Sequence, residues 1–123
     1  MPPINAISIL KKRSEFLSVA AHRQRWVTPA FILQIAPRQE EGAPLDVLGL
    51  GLTASKKMIG NAVCRNRARR RLRALARELL PLYAQAGINY IFIARQDILT
   101  RSYDALRKDG LWALKRLNVR KDL

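Results

Sequence analysis

The segment from Asn61 to Leu79, NAVCRNRARRRLRALAREL, sets seven arginines within thirteen residues, Arg65 to Arg77, and reaches no acid before Glu78. Few folds accommodate such a run. On a 3.6-residue wheel Cys64, Ala68, Leu72, Leu75, Ala76 and Leu79 converge on one stripe, which predicts a helix that packs one apolar side against a sheet. The arginines take the remaining circumference. Arg65, Arg69, Arg73 and Arg77 form a row at i+4 steps, with Asn66 and Arg70 beside it. Like charges at that spacing destabilise an isolated helix by about 0.2–0.5 kcal/mol per pair. The apolar stripe must offset that cost in the free protein, and a bound polyanion would remove it.

Arginine suits such a partner, because its planar guanidinium grips phosphate through two parallel bonds and stacks on exposed bases. Just upstream, SKKMIGNA adds Lys56, Lys57 and a turn glycine, Gly60. Unpaired N–H groups at the start of the helix add to the anion affinity. A merely solvated charged helix would mix in acids, as this one does not.

The whole chain points the same way. It carries 23 Lys+Arg against 9 Asp+Glu, a formal charge of +14, and such a field attracts phosphates and releases counterions on binding. Nucleic acid is the leading partner class and an anionic membrane surface the second, with a basic surface that merely aids solubility as the bland alternative. The 123 residues fit one domain with one modest core, the expected order running over about 10–117. No stretch approaches the ~18 consecutive apolar residues of a membrane span, and MPPINAISILKKR lacks the layout of a secretory signal. The single cysteine, Cys64, allows no internal disulfide, so a reducing, cytoplasmic setting is expected.

Local patterns predict a helix over 11–21, strands over 23–28 and 30–36 split at Thr28-Pro29, an exposed hairpin loop over 37–46, and a third strand over 47–53. In that third strand Gly49 and Gly51 share a face and leave room for something to approach. The arginine helix is expected to close at Pro81. INYIFIA, 88–94, reads as a fourth strand, and Ser102 as the N-cap of a last helix over 103–117 with a stripe of Leu106, Gly110, Ala113, Leu114 and Leu117. Gly110 is expected to mark close packing against the sheet. The predicted architecture is an α/β (α+β) two-layer sandwich, a four-stranded mixed sheet with three helices in the order helix, three strands, helix, strand, helix.

No catalytic constellation accompanies this pattern. His22 has no second histidine or cysteine at ligand spacing, so no metal site is expected on the protein. The acids are scattered, and Asp104 with Lys108 reads as an i,i+4 pair. LGLGLT lacks the lysine and helix of a phosphate loop. Side chains alone describe a binding protein. Phe16 is either plain core or a ring that stacks on an unpaired base, and Trp26 and Trp112 are ambiguous in the same way, with core or rim favoured.

Four segments in order, LKKRSEF, GLTASKKMIGNAVCRNRARRRLR, INYIFIAR and YDALRKDGLWALKRL, closely resemble the bacterial ribonuclease P protein subunit family over about Leu10 to Leu117. The resemblance implies a left-handed βαβ crossover through the arginine helix, an exception to the right-handed rule. It implies a protein that binds a large catalytic RNA and precursor tRNA, in a holoenzyme that removes the 5′ leader. The RNA and its magnesium ions carry out the hydrolysis, and no obligate protein partner or membrane is implied. By position, Lys56, Lys57, Arg65, Asn66, Arg67, Arg69, Arg70 and Arg73 match the family's RNA-contacting residues. Phe16 and Ile32 match its cleft for the single-stranded leader. The chain departs from the pattern at Ala20 and Gln34, where relatives often carry aromatics, and by one extra residue in SKKMIGNA. A basic RNA-binding protein of ribosomal type, with no leader cleft, is the rival reading.

Overall fold

A computed structural model describes residues 6–38, 47–117 and 119. In chain order the elements are β1 (Ala6–Ile9), α1 (Arg13–His22), β2 (Gln24–Val27), β3 (Phe31–Pro37), β4 (Val47–Thr53), α2 (Lys56–Ile59), α3 (Ala62–Tyr83), β5 (Ile88–Ala94), a 3-10 turn (Gln96–Leu99) and α4 (Tyr103–Arg116). One mixed sheet has the order β1-β4-β5-β3-β2. β4 is parallel to β1 and to β5, and β3 is antiparallel to β5 and β2.

The α+β class agrees with the sequence expectation, but the four strands and three helices do not: the described residues form a five-stranded sheet and four α-helices. The additional strand, AISI, is four residues long and pairs only at the sheet edge, through a parallel register with β4 that no local pattern announces. The additional helix is the single turn KKMI, held by the Ser55 hydroxyl, which accepts from the Met58 N–H at 3.1 Å. β3 and β4 are not hairpin partners, because β5 inserts between them. Of the loop expected over 37–46, residues 39–46 lie outside the described ones.

Strand alternation divides the chain's apolar residues between two faces. Phe31, Leu33, Ile35, Leu48, Leu50, Tyr90 and Phe92 pack on Ala68, Leu72, Leu75, Ala76 and Leu79 of α3 and on Leu106, Ala113 and Leu114 of α4. The Phe31 and Phe92 rings meet at 5.3 Å in a tilted pair, and the buried Tyr90 hydroxyl donates to the Gln85 carbonyl at 2.7 Å. Burial pushes the Tyr90 phenol well above its ordinary range. On the opposite face α1 gives partial cover, with Leu10, Val19, Ala36 and Ile91 buried and Phe16 and Ile93 packed against them.

Helix ends follow their caps. Asn61 Oδ1 accepts from the Cys64 N–H at 2.9 Å at the start of α3, and Ser102 Oγ accepts from Ala105 at 3.2 Å at the start of α4, as its position predicts. Pro81 does not end α3 but lies inside its last turn. A proline there forgoes only one bond, to the carbonyl of the exposed Arg77, and the Ala84 N–H still closes onto Leu80. Gly110 faces α3, not the sheet: a Cβ there would stand 2.5 Å from Leu79 Cδ1. Asp104 pairs with Arg107 at 2.9 Å, so the expected Lys108 pairing gives way to an arginine one residue earlier.

Candidate nucleic-acid interface

The apolar stripe of α3 fixes how the helix is rotated, and that rotation sorts its arginines. Arg71 is half-buried and structural: Nη1 donates to the Ile98 carbonyl at 2.5 Å and Nη2 to the Arg101 carbonyl at 2.6 Å. Arg65 reaches back to the Gly60 carbonyl at 2.6 Å, tying the first turn of α3 to the α2 exit, where Gly60 takes φ +107°. That conformation favours glycine. Arg69 donates to Asn66 Oδ1 at 3.1 Å. Arg67, Arg70 and Arg73 are exposed and make no hydrogen bond or ion pair with any described residue. Further along, Glu78 is claimed by Arg107 through bonds of 2.7 and 3.1 Å. Those bonds hold its carboxyl below the ordinary range and engage the acid that follows the arginine run in sequence with an arginine of α4.

Two concavities meet on this surface. Asn66, Arg69, Arg70 and Arg73 line a shallow recess beside Val63, whose side chain is 78% exposed despite being apolar. A second, of about 510 Å³, opens between α1 and the end of β4, lined by Lys11, Arg13, Phe16, Leu17, Leu52, Thr53, Ala54 and Arg69. Arg69 belongs to both, so the basic face of α3 runs without a break into the hollow under Phe16. Phe16 is neither wholly core nor free: it packs on the minor core while remaining partly accessible. Its ring lies over Gly51, which is what the small residues of β4 leave room for. At Gly49 the room is taken by Asn89 and Arg38, joined at 3.0 Å.

The sequence-selected residues do not all converge. Ile32 is half-buried on the same sheet face, opposite Ile93, but it does not line the hollow under Phe16. Lys56 and Lys57 are exposed on α2 and line neither concavity. Ala20 and Gln34, the positions without aromatics, share a polar pocket with Arg23 and Arg25. Sequence reasoning did not select Lys11, Arg13 or Val63, although Lys11 and Arg13 stand in the same LKKRSEF stretch as Phe16, and it places Leu17 only on the apolar side of the first helix, where the residue is in fact exposed. Trp26 is half-buried against the main core, whereas Trp112 is 50% exposed.

Among the described residues no three His, Cys, Asp or Glu side chains group into a set that could hold a metal ion. Asp104, Asp109 and Glu78 are each engaged by arginine. The donors among the described residues therefore do not build a magnesium site. No described helix is long and apolar enough to cross a membrane.

A family model described as ribonuclease P matches residues 5–118. The chain belongs to the ribonuclease P protein family. A ribonuclease P protein component from Paramagnetospirillum magneticum is 50% identical over 110 residues, spanning 89% of this chain and 82% of the relative. One from Ruegeria pomeroyi is 38% identical over 128 residues, spanning 98% and 99%. The fold is similar to the RNase P protein of Staphylococcus aureus, with a TM-score of 0.72 at 23% identity over 92% of this chain and 97% of that one. It is also similar to that of Thermotoga maritima, with 0.70 at 21% identity over 89% and 96%. As a ribonuclease P protein component, the chain serves the ribonucleoprotein endoribonuclease of tRNA 5′ maturation.

Proposed function

We propose that this chain acts as a single RNA-binding domain that binds the catalytic RNA of ribonuclease P through α3 and holds the single-stranded 5′ leader of precursor tRNA in the hollow under Phe16. The observation that carries the reading is the shared position of Arg69, which lines both the arginine recess and the Phe16 hollow. A strand leaving one surface can enter the other along Arg69. Arg65, Asn66, Arg67, Arg69, Arg70 and Arg73 contact the RNA backbone, and Lys56 and Lys57 add charge beside the start of α3. Arg65 and Asn66 also keep the local geometry through their own hydrogen bonds.

In the hollow, Phe16 offers a ring for an unpaired base, and stacking of this kind contributes about 1–3 kcal/mol per base. Lys11, Arg13 and Arg69 surround that ring with phosphate-binding charge. Ile32 extends the apolar floor of the same sheet face. Magnesium ions supply the hydrolytic chemistry when bound by the RNA. The protein's contribution is to offset phosphate repulsion and orient the leader. The family resemblance also supports a left-handed sense for the β4–α3–β5 crossover and a cytoplasmic setting.

The test is cleavage of precursor tRNA by a bacterial ribonuclease P RNA at low magnesium, with and without this chain. Cleavage rate or substrate affinity is expected to rise when the chain is added. No gain with the cognate RNA, or co-sedimentation with ribosomal subunits instead, would overturn the reading.

A further inference from the structure

The last turn of α4 carries a surface that neither the arginine helix nor the Phe16 hollow explains. The Arg116 guanidinium lies 5.0 Å from the Trp26 ring centroid and 5.9 Å from that of Trp112. The Lys115 ammonium lies 5.4 Å from the Trp112 ring. Trp112, Lys115 and Arg116 stand at i, i+3 and i+4, so they share one side of the helix, and Trp26 reaches them from β2, the edge strand. Trp112 is not needed to seal the core. The buried stripe of α4 is Leu106, Gly110, Ala113 and Leu114, and the indole is half exposed.

An exposed large aromatic costs hydrophobic free energy unless something covers it. The two cations identify the chemistry of the cover. They exclude a purely apolar partner, which would have to desolvate both charges; both lie over the indole, and their long flexible stems let a base displace them from the ring and leave them to meet its flanking phosphates. The formal charge of +14 favours the same occupant. We infer that Trp112, with Lys115 and Arg116, forms a second stacking site for an unpaired nucleotide of RNA.

This site is separate from the Phe16 hollow. Trp26 shares a sheet face with Leu33 and Phe92, whereas Phe16 lies on the face of Gly51 and Ile91. β2 is also three strand spacings from β4 in the sheet order, about 14 Å. The nucleotide stacked in the hollow therefore does not touch Trp112, and the indole meets a different nucleotide. The inference rests on the proposed RNA-binding role only for the identity of the polyanion.

The experiment uses the full chain and a ten-nucleotide oligouridylate. Its two tryptophans, Trp26 and Trp112, make intrinsic fluorescence the readout, and anisotropy of a labelled oligonucleotide reports binding independently. In Trp26→Phe, emission from Trp112 is expected to fall and its acrylamide quenching to drop at least twofold at saturation. Wild type is expected to show the same change, and Trp112→Phe to lose it, so the comparison stands even if Trp26→Phe folds poorly. With Arg69→Ala plus Arg73→Ala as background, Trp112→Ala is expected to weaken oligonucleotide affinity about 5- to 150-fold. Anisotropy that rises with no change at Trp112 would overturn this inference and leave the α3 interface standing. Protection of Trp112 by an acidic peptide but not by the oligonucleotide would overturn it in favour of a protein partner.

Discussion

A Cβ on Gly51 would stand 2.8 Å from Cε1 of Phe16, so the Phe16 ring fills the space that any side chain at position 51 would need. Gly51 does not take a left-handed backbone, so alanine is tolerated by the strand itself and the cost comes from the ring. Gly51→Ala is expected to lift Phe16 from the sheet and to destabilise the protein by about 1–3 kcal/mol in urea unfolding. The same substitution in a Phe16→Ala background should cost much less. Equal costs in the two backgrounds would show that the ring is not what position 51 must avoid.

Phe16→Ala alone separates the two roles the ring could have. A stacking ring predicts weaker binding of leader-bearing precursor, by about 5- to 150-fold, with mature tRNA little affected. Equal losses for the two RNAs, alongside a lowered thermal midpoint, would return Phe16 to the core.

Neighbouring arginines on α3 should behave in opposite ways. Arg71→Ala removes two charge-assisted bonds to carbonyls 27 and 30 residues away and is expected to cost about 2–4 kcal/mol of stability, with the salt dependence of RNA binding unchanged. Arg69→Ala plus Arg73→Ala should leave unfolding nearly as in wild type. It should flatten the slope of log affinity against log salt by about 0.7–0.9 for each phosphate no longer neutralised. A flattened slope in Arg71→Ala, or an unchanged one in the folded double variant, would reverse this assignment.

The Glu78 carboxyl titrates below the ordinary glutamate value chiefly because Arg107 donates to it. A folded-state value below the unfolded one means that the pair's contribution is complete above the unfolded value and is lost as pH falls through the folded one. The loss is therefore expected only in acid, below about pH 4. NMR titration of Glu78 should show the depressed midpoint, and Arg107→Gln should raise it; a midpoint indifferent to Arg107 would mean the bonds are not held in solution.

What the sequence made legible was local. β5 runs over the seven residues of INYIFIA, and Ser102 caps α4 as its position suggests, because both signals lie within a few residues of the feature they specify. The face of α3 that packs inward was equally readable from its leucines and alanines. β1 was not, since four residues at an edge are defined by their register with β4. Nor was the split among the arginines, because Arg71 is distinguished from Arg70 and Arg73 by carbonyls on the distant corner after β5. Gly110 was legible as a point of close approach, but which layer approached it depended on how α3 and α4 cross.

The clasp from Arg71 to the Ile98 and Arg101 carbonyls has a consequence for how tightly an RNA can be held. With the leucine stripe on one side and that clasp on another, α3 can neither roll nor slide, and its outward guanidinium groups hang from a fixed backbone about 6 Å apart along each i+4 row. Association then need not order the main chain of α3. The conformational entropy that α3 loses on complex formation reduces to the rotamers of a few long side chains, about 0.5–1.5 kcal/mol for each, beside the loss of overall translation and rotation that any association carries. Loosening the clasp would add a backbone-ordering cost to that loss without touching a single atom that faces the ligand.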